Sequence, residues 1–209
     1  MDAAAWDERY AAAELVWSAE PNRWVAQALD GRPPGTAVDL ACGEGRNAVW
    51  LAERGWRVTG VDFSSVALGK AEAMAERRGA PVTWVHADAT AWSPPEPVDL
   101  VVLAYFHLPA AERRRVHRTA AHALAPGGTL LVAGHDTTNL TRGVGGPQDP
   151  AVLFTPGDVL ADVEGLGLET VRAEQLVRPV TGPGGIRDAI DAVVELRRPD
   201  PAGDVDAPA

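Results

Sequence analysis

Val38 to Asp62 reads VDLACGEGRNAVWLAERGWRVTGVD, and this stretch decides what the chain can be. "VDLA" is a short apolar run interrupted by one acid, Asp39. It meets a turn with Gly43 and Gly45, after which Val49, Leu51 and Ala52 recur at helical spacing until Gly55. "WRVTGVD" is then a second strand ending at Asp62. Strand, glycine turn, helix and strand make a parallel βαβ unit, and Gly43, Gly45 and Ala48 fit G-x-G-x-x-A. That pattern can announce a dinucleotide. Yet acids stand at Asp39 and Glu44, where a pyrophosphate would normally lie.

The alternation extends outward on both sides. Asp2 to Leu29 reads as helical with a break at Glu20–Asn22, and "GRPPG" clears the way for the first strand. Ser64 is placed to cap a helix that Gly79 closes. "VTWVHAD" is the third strand and "VDLVVLAYF" the fourth. A long helix follows from Ala110, ended by Pro126 and two glycines, and "TLLVAGHD" is the fifth strand. A Gly- and Thr-rich loop, His135 to Pro150, leads to a short helix near Thr155–Leu166. "LETVRAEQLV" and "IDAVVELRR" are two further extended runs. Near-continuous Val, Leu and Ala in the strands implies a parallel sheet with helices on both faces, an α/β fold. Ligands of such sheets sit beyond the carboxyl ends of the strands.

Bulk properties narrow the function. With 209 residues the chain suits one domain, expected over residues 1–198 with an N-terminal helical cap at 2–29. The tail at 199–209, rich in Pro, Ala, Gly and Asp, is expected to be disordered. A net charge of −10, with Lys70 the only lysine, repels phosphate backbones and anionic lipid, so neither nucleic acid nor a membrane is expected as partner. The basic run Glu112–Arg118 reads as a solvated helix face. The start, "MDAAAWDERY", has no basic segment followed by an apolar one, and a lone Cys42 permits no intrachain disulfide. A cytoplasmic setting is expected.

Two ligand classes compete for the glycine turn. A nicotinamide or flavin dinucleotide places its pyrophosphate there, favoured by the following helix. S-adenosylmethionine has no phosphate and carries a sulfonium and an ammonium, so carboxylates help it. Unit charges about 4 Å apart interact by roughly 4 kcal/mol at an effective dielectric of about 20. Asp39 is suited to act on the ammonium through water, whereas Glu44 is free to point outward. Asp62, 19 residues after Gly43, suits ribose hydroxyls in either class. Asp88 after the third strand, with the Ala89 N–H, suits an adenine edge, and an acid there is less expected for a dinucleotide. Three acids at three successive strand ends favour S-adenosylmethionine.

These residues carry a resemblance. "VDLACGEGRNAVWLAERGWRVTGVDFSSVAL", with "HADA" and "LAPGGTLLV", resembles the class I S-adenosylmethionine-dependent methyltransferases over about Trp6–Arg198. With "WDERY" the chain is most similar to the tellurite-resistance methyltransferase-like branch. The resemblance implies a Rossmann-like three-layer sandwich whose seven-stranded sheet is mostly parallel with the last strand antiparallel. It implies that Asp39, Gly43 and Gly45 surround the methionine portion of the cofactor, with Ala41, Cys42, Asn47 and Ser64 also among the cofactor-binding residues. Asp62 and Phe63 flank ribose and adenine, Asp88 and Ala89 hold the adenine edge, and Ala104 lines the pocket. Trp6 and Tyr10 lie on a segment that similar enzymes lay across the site.

Methyl transfer needs an aligned acceptor, excluded water and, for some nucleophiles, a base. Tyr105 and His107 follow the fourth strand; His135, Asp136 and Arg142 follow the fifth, on a loop whose glycines allow it to act as a lid. His107, His135, Tyr105 and Arg142 are the catalytic candidates. Trp50, Trp56, Trp84 and Trp92 read as core, and Cys42 as a small packing residue among carboxylates. His86, His117 and His122 lack companions at metal spacing, so no metal is expected. The expected partner is a small-molecule methyl acceptor, with a thiol or chalcogen oxyanion among the candidates, and the protein a monomer or homodimer. A nicotinamide-dependent oxidoreductase and a non-catalytic S-adenosylmethionine-binding protein are the alternatives.

Overall fold

The computed structural model describes residues 3–182 and 185–200; most of the tail for which disorder is expected lies outside them. Seven strands form one sheet in the order β3-β2-β1-β4-β5-β7-β6. They are β1 (Thr36–Leu40), β2 (Arg57–Asp62), β3 (Val82–His86), β4 (Val98–Ala104), β5 (Leu124–His135), β6 (Glu169–Gly182) and β7 (Gly185–Arg197). β1 through β5 pair in parallel, and β7 lies antiparallel between β5 and β6. The helices are α1 (Ala3–Ala11), α2 (Arg23–Leu29), α3 (Arg46–Ala52), α4 (Ser65–Arg78), α5 (Ala110–His122), α6 (Asn139–Arg142) and α7 (Pro156–Asp162).

Both faces of the central strands β1, β4 and β5 are buried, which is why these strands lack a polar alternation, whereas β6 is largely exposed. Val38, Leu40, Val101, Leu103, Leu130 and Val132 pack with Val116, Ala120 and Ala121 of α5 and with Phe154. Ala37, Leu100, Val102 and Leu131 pack on the other side with Val49, Leu51, Trp50 and Met74 of α3 and α4. Trp56 belongs to this second cluster, partly buried Trp84 packs against it, and partly buried Trp92 packs against the first, in keeping with their reading as packing residues. The period of two along β1 puts Asp39 on the face of Ala37, towards α3.

Local expectations hold closely at α4. Ser64 accepts the Ala67 N–H at 3.1 Å as the N-cap, and Gly79 ends the helix in the left-handed region. Two expectations change. The fifth helix stops at His122 and β5 begins at Leu124, so Pro126-Gly127-Gly128 lies inside an irregular strand start, where the β4 register shifts between Val98 and Leu100. The N-terminal helix breaks far earlier than Glu20, at Ala11. Its continuation is diverted because the Glu44 carboxylate takes the Val16 and Trp17 N–H groups at 3.0 Å, while Lys70 donates to the Tyr10 and Ala13 carbonyls.

Candidate active site

The carboxyl ends of β1, β2 and β3 present Asp39, Asp62 and Asp88 side by side. Ala41, just past β1, and Tyr105, just past β4, hold φ values of 55° and 60°. Such left-handed backbone costs a non-glycine residue about 1–3 kcal/mol and concentrates at functional sites. Between them Gly43 (φ 54°) and Gly45 (φ 77°) make the turn into α3. Both also permit close approach: a Cβ on Gly43 would stand 2.7 Å from the Tyr10 hydroxyl, and one on Gly45 would stand 2.6 Å from Trp84 and 2.7 Å from Ala71.

Asp39 is 1% exposed, and neither carboxylate oxygen has a hydrogen-bond partner among the described residues. Burial pushes its pKa up to about 7, opposed by the positive charge of Arg46 and by the nearby Ala48 backbone N–H, which falls short of hydrogen-bond geometry. An orphaned buried carboxylate is costly unless something charged or protonated meets it. A ligand bearing an ammonium fits that requirement. Asp62 accepts the Gly43 N–H at 2.8 Å and the Ser64 N–H at 2.9 Å, so it ties the glycine turn to the start of α4. Burial raises its pKa while those backbone donors oppose the rise. Asp88 is exposed and accepts the Thr90 N–H at 2.8 Å, with Ala89 buried beneath it. Cys42 is buried and its thiol pKa is raised well above normal by burial and then by Asp39 and Asp62, the environment of an inert thiol.

Glu44 does not point outward. It is 2% exposed, pairs with Lys70 at 3.1 Å and anchors the segment after α1, so its charge is spent on the fold rather than on a ligand. α1 itself lies across the turn. The Ser64 hydroxyl donates to Asp7, and Trp6 stacks on Tyr10 with ring centroids 5.4 Å apart. Burial lifts the Tyr10 phenol to about 12. Arg9 lies over the Trp6 and Trp17 rings at 5.0 and 5.3 Å. Asn47 accepts the Asn22 N–H at 2.8 Å, joining α3 to the cap of α2. Phe63 offers its carbonyl to His86 at 2.8 Å.

A second cluster lies at the ends of β4 and β5, centred on a residue the sequence reading passed over. Asp191 of β7 is 0% exposed and sits opposite His135 in the antiparallel register. It accepts from Trp24 Nε1 at 2.8 Å, from the Tyr105 hydroxyl at 2.7 Å and from Arg178 Nε at 2.6 Å. Burial alone would raise its pKa, but His135, Trp24, Arg178 and Tyr105 together hold it low. Burial, then Asp191, pushes the Tyr105 phenol well above its usual range. His107 Nε2 accepts the His135 backbone N–H at 3.1 Å, and burial lowers its pKa to about 4. His135 stacks on His107 at 5.5 Å and places Nδ1 3.2 Å from Asp191 Oδ1, off the line a hydrogen bond needs.

Tyr105, His107 and His135 are therefore brought together at the neighbouring ends of β4 and β5. Arg142 is exposed on α6 and stands apart from them in the described contacts. Asp136 belongs to a separate loop network with Thr138 and Gln175. Gly146 folds against the His135 ring, where a Cβ would collide with it. A lone acid inside the apolar run of β7 was the available signal for Asp191. Arg178 and Trp24 had none, because their shared partner is set by tertiary register.

Sheet order, the antiparallel seventh strand and the three strand-end acids define the Rossmann-like class that carries a nucleoside ligand on its first strands. Residues 37–128 match a family described as a methyltransferase domain. A trans-aconitate 2-methyltransferase of Azoarcus sp. (strain BH72) is 30% identical over 168 residues, 77% of this chain and 60% of that protein. A demethylmenaquinone methyltransferase of Thermus thermophilus is 36% identical over 116 residues, 53% of each chain. The chain thus spans 60% and 53% of these curated relatives' lengths. The structure of the N-methyltransferase NodS from Bradyrhizobium japonicum WM9 with S-adenosyl-L-homocysteine superposes with a TM-score of 0.66 at 22% identity, covering 94% of this chain and 98% of that one. TehB from Haemophilus influenzae gives 0.70 at 20% identity, over 83% and 61%. The chain is thus similar to methyltransferases over residues 37–128 and beyond, and it shares its fold with a methyltransferase solved with S-adenosyl-L-homocysteine.

Proposed function

We propose that the chain transfers the methyl group of S-adenosylmethionine to a small-molecule acceptor. The observation that carries this reading is the Asp39 carboxylate, buried and without a hydrogen bond beside the glycine turn. A phosphate-bearing dinucleotide would add negative charge there; a cationic methyl donor removes the imbalance. When bound, S-adenosylmethionine supplies a methyl already activated on sulfur. The residues of this chain bind and orient. Asp39 meets the ammonium, Asp62 accepts from ribose hydroxyls, and Asp88 with the Ala89 N–H reads the adenine edge. Ala104 and Tyr105 wall the reacting end, and α1 with Tyr10 keeps water from the turn.

The acceptor in this reading is a thiolate or chalcogen oxyanion, which arrives with its lone pair available. Its support is that the nearby candidates are poor bases: the His107 lone pair is engaged by the His135 N–H, and the Tyr105 hydroxyl already donates to Asp191. The names of two relatives, a trans-aconitate 2-methyltransferase and a demethylmenaquinone methyltransferase, support a small-molecule acceptor. Residues 1–198 act as one unit capped by α1 and α2, in the cytoplasm, and Arg142 meets the anionic acceptor from the loop after β5. A screen for radiolabelled methyl transfer across thiols, selenite, tellurite, amines and phenols tests the proposal. Label in a thiol or oxyanion product, with a KM raised by Arg142→Ala, is the expected result. Transfer confined to amines or phenols overturns the acceptor class, and an unchanged KM removes Arg142.

A further inference from the structure

Asp191 divides its two oxygens unequally. Oδ2 takes three donors: Trp24 Nε1 at 2.8 Å, the Tyr105 hydroxyl at 2.7 Å and Arg178 Nε at 2.6 Å. Oδ1 takes none among the described residues, although the side chain is 0% exposed, and it faces His135 Nδ1 at 3.2 Å. That nitrogen is buried and equally without a hydrogen bond among the described residues. A donor and an acceptor thus stand within reach of each other where leaving both unsatisfied is costly. Hydrogen bonds between catalytic groups are often long or poorly aligned before the reactants arrive, and tighten afterwards.

The three donors on Oδ2 fix the carboxylate and leave Oδ1 for His135 alone. Against burial, His135, Trp24, Arg178 and Tyr105 hold the Asp191 pKa low, so Oδ1 stays an acceptor. An imidazole whose Nδ1 donates to a carboxylate carries its lone pair on Nε2. His135 Nε2 has no hydrogen-bond partner among the described residues. Gly146 (φ 75°) lies beside it, where a Cβ would stand 2.7 Å from Nε2, so the missing side chain leaves that lone pair uncovered. The neighbouring groups differ. His107 Nε2 is occupied by the His135 N–H, and the Tyr105 hydroxyl by Asp191.

We propose that His135 is the general base of the acceptor end, aligned by Asp191, and that the acceptor is a small thiol whose proton it removes. The proposal rests on the methyltransferase reading above and narrows its acceptor, since an oxyanion with a free lone pair has no use for a base. Among protonated acceptors a thiol asks least of an imidazole, being about 1.5 pKa units more acidic than a phenol and about 2 more than an amine. In the step, the acceptor sulfur forms a bond to the methyl carbon as its S–H proton passes to His135 Nε2. The bond from that carbon to the sulfonium breaks, and its electron pair goes to the departing sulfur. His135 ends as an imidazolium paired with Asp191 and returns its proton to solvent once the products leave. His135 is a catalytic residue in this scheme and Asp191 a positioning residue.

The test uses the full chain and two thiol probes: 2-mercaptoethanol, which is protonated at neutral pH, and 4-nitrothiophenol, which is already a thiolate there. His135→Gln is expected to lower kcat/KM for 2-mercaptoethanol about 100-fold or more, but for 4-nitrothiophenol about tenfold or less, because an ionised acceptor bypasses the base. Apart from activity, nitrogen NMR of the imidazoles is expected to show wild-type His135 protonated on Nδ1, and Asp191→Asn to shift that proton to Nε2. Equal losses with both thiols in His135→Gln overturn the base. A wild-type His135 protonated on Nε2 overturns it whatever the variants do, and if a variant does not fold, the wild-type spectrum decides. Transfer to neither thiol by protein that binds S-adenosylhomocysteine overturns the thiol assignment. Failure of folded wild type to bind S-adenosylhomocysteine at all is a different outcome, which removes the methyltransferase reading itself.

Discussion

Replacing Asp39 with Asn separates what the fold wants from what the ligand wants. Moving the buried carboxyl from 3.8 up to about 7 withholds about 4 kcal/mol of folding free energy above neutral pH, at about 1.4 kcal/mol per unit. The folded value lies above the unfolded one, so this contribution is fully present below the unfolded pKa and is lost as pH rises through about 7. Between about pH 5.5 and about pH 8.5 the wild-type protein therefore loses about 2 kcal/mol that Asp39→Asn keeps. The new amide forfeits about 1–3 kcal/mol because its N–H groups find no acceptor. The effects of Arg46 and Asp62 on the ionised Asp39 are already contained in its raised folded value. Urea unfolding at the two pH values is expected to show Asp39→Asn gaining on wild type by about 2 kcal/mol at the higher one. The same variant binds S-adenosylhomocysteine more weakly at both. A stability difference that does not move with pH refutes the argument, because Asp39 would then be charged or neutral in both states alike.

Asp62→Ala removes the acceptor for the Gly43 and Ser64 amides, and calorimetry is expected to show S-adenosylhomocysteine binding weakened at least about tenfold, the worth of one hydrogen bond to a charged group. Asp162 of α7 pairs with Arg113 at 2.7 Å and lies 3.0 Å from His117 Nδ1, all three buried where α7 meets α5. Asp162→Ala leaves Arg113 buried without its counter-ion and is expected to lower unfolding free energy by about 3–5 kcal/mol, read by denaturant titration. Because its partners hold the Asp162 carboxyl low against burial, the stability it lends is lost as pH falls through that depressed value. Lys70→Met strands the Glu44 charge and frees the Tyr10 and Ala13 carbonyls; cleavage between residues 12 and 22 under limited proteolysis should quicken severalfold while the rest of the chain stays resistant.

Much of this architecture was readable because its signals are local. The turn at Gly43–Gly45, the cap at Ser64, the stop at Gly79 and the acids closing β1, β2 and β3 each depend on neighbours a few residues away. What escaped depends on distance in sequence. Glu44 looked solvent-facing because its backbone partners, Val16 and Trp17, lie 28 and 27 positions upstream. Asp191 acquires its meaning only when β7 enters beside β5 and sets it against His135, a pairing that periodicity does not encode. Pro126-Gly127-Gly128 misled in the opposite sense: breakers usually end a helix, but this chain had already ended its helix at His122 and used them to start a strand.

β7 is the penultimate strand in space and the last in the chain, wedged between two strands made before it. Until it arrives, the β5 edge is open and Tyr105, Arg178 and Trp24 have no common anchor, so the acceptor end cannot exist in a half-built molecule. In the proposed methyltransferase reading, the acceptor end is complete only with β7 seated between β5 and β6.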